Sequence, residues 1–163
     1  MLARLLIATA TLALLGAPLH AQTGLPLGTT PPNASVETVD GRPVQLAQYV
    51  AKGKPTLIEF WATWCPNCRE LEPQMAAAAK KYAGKVAMVG VAVGVNQSAE
   101  LVKRYAAKHE LPLTVLYDKT GDAADKYDVP ATSYIVVLDR TGKVVYTGVG
   151  SDQNIEAAIA KAM

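Results

Sequence analysis

Cysteine is nearly absent from this chain: there are two in 163 residues, Cys65 and Cys68, with only two residues between them. Partners that close cannot staple distant segments, so a disulfide framework is excluded as the basis of the fold. Histidine is as rare, at His20 and His109. Two cysteines make half a zinc or copper(I) site, and a lone helix-end histidine such as His109 is usually solvated. An excess of either charge is also missing. The 16 basic and 14 acidic side chains give +2 overall and are interspersed, which leaves no basic stripe for nucleic acid. No internal repeat or low-complexity tract occurs. What is present is apolar: 50% of residues are hydrophobic against 18% charged, the balance of a packed chain and not a disordered one. At this length one domain with a substantial core is expected.

The first 21 residues are set apart from the fold. Met1-Leu2-Ala3-Arg4 is a short positive start, Leu5 to Gly16 is apolar, and Ala17-Pro18-Leu19-His20-Ala21 resembles a cleavage region ending at Ala21. That is the layout of a secretory signal, and the apolar run is short for a span of ~20 residues. No cysteine follows it to carry a lipid. Export is therefore expected, to the bacterial periplasm or otherwise outside the cytoplasmic membrane. In an oxidising compartment an isolated cysteine pair stays oxidised unless a dedicated donor supplies electrons.

Residues 22–34, with Pro26, Pro31 and Pro32, are predicted to be an extended, mobile leader, and 35–163 the folded domain. Ser35 to Leu46 predicts a β-hairpin turning at Asp40-Gly41. Thr56 to Trp61 is near-continuously apolar, as a strand buried on both faces should be. Pro66 to about Ala83 predicts a helix with Pro in its first turn, a kink at Pro73 and a stop at Gly84. Val86–Val93 predicts a second buried strand, and Ser98 the cap of a helix reaching His109. A strand over 113–117, a short helix over 120–127, strands over 133–138 and 143–149, and a helix over 152–163 complete the series. The order β-α-β-α-β-α-β-β-α gives an α/β fold, a mixed sheet with helices on both faces.

The cysteine pair stands where the apolar strand gives way to the helix. That junction puts Cys65 at the helix N-terminus, where free N–H groups and the helix dipole favour a thiolate. Cys68 lies one turn further in. One sulfur attacks and the other resolves the mixed disulfide, which is thiol–disulfide exchange.

Phe60-Trp61-Ala62-Thr63-Trp64-Cys65-Pro66-Asn67-Cys68-Arg69, with Pro73 beyond it, resembles the thioredoxin superfamily. Arg42-Pro43-Val44-Gln45-Leu46, the segment Leu111 to Asp118, and Val137 to Val145 are similar to its TlpA/ResA-like exported thiol–disulfide oxidoreductases. The resemblance implies a thioredoxin-like fold with the N-terminal hairpin and a redox-active disulfide at the surface, with no other cofactor. It further implies a monomer that exchanges with protein thiol or disulfide substrates, is fed by a membrane electron donor, and serves in cytochrome c maturation. Cys65 would be the nucleophile and Cys68 the resolving thiol. Trp64, Pro66, Thr132 and Ser133 would line the substrate groove. Pro66-Asn67 is uncharged, so a reductant is expected before an oxidant.

Three positions qualify the resemblance. Glu59 stands six residues before Cys65, where thioredoxins hold a buried acid; burial would raise its pKa and suit it to carrying the Cys68 proton. Leu71 replaces a glutamate that many TlpA/ResA-like proteins place three residues after the second cysteine, and Glu70 and Glu72 are expected to point elsewhere. Counting from Val129 and to Asp139 puts Ser133, not Pro130, at the family's cis-proline, with a trans Thr132–Ser133 bond and its hydroxyl beside the sulfurs. A thiol-based copper or zinc module is the alternative function. A peroxiredoxin-like peroxidase wants threonine where Ala62 stands, and a redox-silent interaction domain has only Ser133 in its favour.

Overall fold

A computed structural model describes residues 24–50 and 53–163. The expected signal segment and the first residues of the leader lie outside them. β1 (Ser35–Thr38) and β2 (Pro43–Gln45) form the expected hairpin, pairing Val36 with Val44. A short 3-10 turn, Leu46–Gln48, follows and buries Leu46. β3 (Thr56–Trp61) is buried at every position, as its continuous apolar run requires. α1 (Pro66–Lys81) continues through Pro73, and β4 (Ala87–Val93) and α2 (Ala99–Lys108) follow, the latter capped by Ser98 accepting from the Leu101 N–H at 3.2 Å. Then come β5 (Thr114–Asp118), α3 (Asp122–Lys126), β6 (Tyr134–Leu138), β7 (Val144–Gly148) and α4 (Ile155–Ala160). α4 is shorter than its sequence pattern implied, because Asn154 caps it by accepting from the Ala157 N–H at 2.8 Å.

The seven strands form one mixed sheet in the order β2-β1-β5-β4-β3-β6-β7. β3 is near its centre, parallel to β4 and antiparallel to β6. Strand alternation then sorts the core. Ile58 and Phe60 face one layer with Val89, Val91, Leu116, Tyr127 and Tyr134. Leu57 and Trp61 face the other: Leu57 packs with Leu71 and Met75 of α1 and Ile155 and Ile159 of α4, Trp61 with both cysteines and Val102 of α2. Each fully buried large apolar side chain contributes ~1.5–3 kcal/mol, so this sandwich fixes the end of β3 firmly.

The leader corrects its expectation. It is a docked strap. Leu25 and Ala34 are buried in the first core layer, and the Leu25 N–H donates to the Tyr134 hydroxyl at 2.9 Å. Gly28 N–H donates to the Val144 carbonyl at 2.7 Å, and Val144 N–H to the Thr29 carbonyl at 2.9 Å. Its prolines rule out helix but not this pinning by a few apolar anchors.

Candidate active site

β3 ends at Trp61, and three residues of turn deliver Cys65 as the N-cap of α1 with Pro66 at the first helical position. Cys65 and Cys68 are joined by a disulfide, Cα to Cα 5.4 Å. The Cys68 N–H points at Cys65 Sγ from 3.1 Å, so an orphan donor of the helix start is aimed at the first sulfur. Neither sulfur-bearing residue is open to solvent: Cys65 is 1% exposed and Cys68 5%. The surface disulfide that the resemblance implies is thus not what the oxidised form shows. The turn is folded over the pair and held from the β4 side. Gln97 Oε1 accepts from Thr63 N–H at 2.9 Å and from its hydroxyl at 2.8 Å, and Gln97 Nε2 donates to the Val93 carbonyl at 2.6 Å. Trp64 is 45% exposed and its indole N–H donates to the Val95 carbonyl at 2.8 Å.

Glu59 lies on the cysteine-bearing side of β3. It shares a face of β3 with Leu57 and Trp61, which puts it between the two clusters that α1 covers. It is 5% exposed, and none of the ion pairs among the described residues includes it. Burial, and after it the charge of Glu72, raises its pKa from 4.5 to about 8. Its β4 neighbour is Gly90, where a Cβ would lie 2.9 Å from both Trp61 Nε1 and a Leu113 methyl. Glycine there leaves room for the indole, whose buried N–H has no acceptor among the described residues.

Ser133 corrects one expectation and keeps another. Among the described residues there is no cis peptide bond, so Thr132–Ser133 is trans. Ser133 takes φ +61° and is fully buried. Its hydroxyl is not left for the sulfurs: Oγ accepts from the Gly150 N–H at 3.0 Å, and its carbonyl accepts from Gln153 Nε2 at 3.0 Å. It stands one step beyond the Phe60–Tyr134 pair, on the β6 flank of the Cys65 turn, whereas Trp64 leans to the β4 flank. Pro66 and Pro130 are exposed and Thr132 half-buried. Trp64 and Pro66 thus flank Cys65 in the turn, and Thr132 and Ser133 precede β6.

Residues 26–163 match the Redoxin family model. The chain belongs to that family. Within it the chain is TlpA/ResA-like. It is 35% identical over 131 residues to the thioredoxin-like protein YneN of Bacillus subtilis, covering 80% of this chain and 75% of that one. To the thiol-disulfide oxidoreductase ResA of the same species it is 29% identical over 124 residues, 76% of this chain and 68% of that one. A thiol:disulfide interchange protein of the thioredoxin family from Chlorobium tepidum superposes with a TM-score of 0.68 at 28% identity, covering 83% of this chain and 96% of that one. Fold, cysteine pair and relatives together place this redoxin among the thioredoxin-like thiol–disulfide oxidoreductases.

Two residues of this redoxin's site escaped sequence reasoning. Gln97 gives no local signal, since the Thr63 that it holds is 34 residues earlier in the chain. Glu72 does give one. It lies four residues past Cys68, the spacing that shares a helix face, and its charge reaches Glu59. Leu71 is a core residue. His109 is paired with Glu72, and no group of three or more His, Cys, Asp or Glu placed to hold a metal occurs among the described residues.

Proposed function

We propose that this redoxin is an exported enzyme that cycles the Cys65–Cys68 disulfide against protein thiols and disulfides, working as a reductant. The observation that carries the reading is the disulfide at the N-cap of α1, with the Cys68 N–H aimed at Cys65 Sγ. In the reduced form that donor and the helix dipole favour a Cys65 thiolate. The thiolate attacks a substrate disulfide and forms a mixed disulfide, releasing one substrate sulfur as thiolate. Cys68 gives its proton to the Glu59 carboxylate, attacks Cys65 Sγ, and releases the second substrate sulfur. Two electrons pass to the substrate and the Cys65–Cys68 bond re-forms. A membrane dithiol donor on the outer side then restores the thiols.

The reductant direction rests on the Pro66-Asn67 pair, which is exposed and uncharged. Little besides the helix start stabilises the thiolate, so the potential should lie nearer the roughly −270 mV of thioredoxin than the −120 mV of a strong oxidant. The signal-like start of the chain supports export, and the family resemblance supports a monomer. Insulin reduction, with dithiothreitol regenerating the enzyme, tests the reading. Cys65→Ser should be inactive, and Cys68→Ser should accumulate a covalent adduct with its substrate, visible by mass spectrometry. Full turnover by Cys65→Ser would end the proposal.

A further inference from the structure

One polar cluster on the cysteine side of the sheet has no part in the scheme so far. Glu72 Oε1 accepts from the Tyr105 hydroxyl at 2.8 Å, and its Oε2 lies 3.1 Å from His109 Nδ1. The Tyr105 and His109 rings stack in parallel, 3.9 Å apart with 10° between their planes. Tyr105 also packs against Trp61, ring centres 5.6 Å apart. Glu72 and His109 side chains are 27% and 28% exposed, so the cluster reaches from the buried indole to water.

We propose that Glu72, clamped between Tyr105 and His109, is a positioning residue whose fixed charge governs how tightly Glu59 holds the proton exchanged with Cys68. The inference rests on the proton role given to Glu59 above. Geometry carries it first. Cys68 and Glu72 are one turn apart on α1, and Glu59 and Trp61 share the strand face that this turn covers. Electrostatics agree. The register neighbours of Glu59 on β4 and β6 are Gly90 and Ile135, neither titratable. From α1 it feels Glu72, and from the α2 side stand Tyr105 and, beyond it, His109. Arg69 acts on Tyr105, lowering its pKa against a larger rise from burial and the Glu72 bond.

The step balances when a dithiol partner opens the disulfide. A partner thiolate bonds to Cys65 Sγ, the Cys65–Cys68 bond breaks, and its electron pair leaves on Cys68 Sγ. Glu59, neutral while its pKa sits near 8, gives Cys68 its proton and becomes a carboxylate. The second partner thiolate then displaces Cys65, leaving a reduced enzyme and an oxidised partner. Glu59 takes its proton back from Cys68 when that sulfur next attacks Cys65 Sγ. The negative charge of Glu72 keeps Glu59 protonated until the sulfur needs the proton. Tyr105 and His109 hold that charge in place.

The carboxyl of Glu59 can be followed in the oxidised protein by carbon NMR of glutamate-labelled chain, alongside the pH profile of opening by dithiothreitol. Glu72→Gln keeps hydrogen bonding to both rings but removes the charge. Its Glu59 midpoint should fall by about half a unit or more, so opening above the midpoint slows about threefold. Glu72→Asp, which keeps the charge, should titrate and react like the parent. An unchanged Glu59 midpoint in Glu72→Gln overturns the inference while leaving thiol exchange intact. So does an Asp variant that shifts as far as the Gln variant, since loss of packing would then be the cause. A Glu59→Gln enzyme with the parent's rate and pH profile would instead remove the proton role of Glu59, and this inference with it. Cys65→Ser tests the redox reading separately.

Discussion

Glu59 holds its proton far more tightly in the fold than out of it, at about 8 against an ordinary 4.5. Between those values the native state binds a proton that the unfolded state has released. Its penalty is absent below pH 4.5, builds as pH rises, and is complete above 8. One unit is worth ~1.4 kcal/mol, so the stability lost across this window is a few kcal/mol. Urea denaturation of oxidised protein at pH 5 and pH 8.5 should show Glu59→Gln losing less stability between them by about that amount. Parallel behaviour of the two proteins would mean that the carboxyl is not held neutral by burial. This acid was legible in the sequence because nothing else polar interrupts the core of its strand. Glu72 does point away from the Leu71 position, as its place on the helix implied; its partners Tyr105 and His109 on the α2 side are what the spacing does not report.

At the level of elements, the strands and their order could be read because long apolar runs and turn residues are local signals. The loop into β6 could not. A serine at φ +61° costs backbone energy that only distant partners offset. Those partners are Gly150 and Gln153, the second on the approach to α4. Gln153 donates to the carbonyls of Ser133 at 3.0 Å and Gly150 at 2.7 Å, and accepts from the Tyr146 hydroxyl at 3.1 Å. Gly148 is part of the same arrangement, since a Cβ there would strike both the Tyr146 hydroxyl and the Gln153 amide. Ser133 stands just before β6 begins, and no count along the sequence reports its positive φ. Gln153→Ala should destabilise the protein by about 2–3 kcal/mol, because buried carbonyls lose their donor. Its exchange with insulin should slow more than its exchange with dithiothreitol, since only the larger partner must fit the loop. Equal slowing with both would detach this loop from substrate docking. A proline at 133 cannot adopt the observed φ and would have to rebuild the loop.

Across the whole molecule, the strap of residues 24–34 ties the chain's first described segment to the last strands of the sheet in chain order. Leu25 reaches the core layer that holds Tyr134, Leu138 and Val144. Leu25→Ala leaves a cavity there and should cost about 2 kcal/mol or more in urea denaturation, with the cysteine pair still exchanging at its usual rate in buffer. A loss below about 0.5 kcal/mol would return the leader to the mobile segment that its prolines implied. The sequence showed three prolines and few apolar residues here; that one leucine and two backbone bonds suffice to anchor it is a matter of where β6 and β7 end up.

The strap also bears on how copies of the chain behave towards one another. β7 is the outermost strand on its side of the sheet, and the bonds that Gly28 and Thr29 make to Val144 occupy part of its open edge. An uncovered edge is a template for a strand from a neighbouring molecule. The same segment that braces the core therefore guards against edge-to-edge stacking. A molecule clipped within the leader would be sticky in a crowded compartment, even with its redox centre untouched.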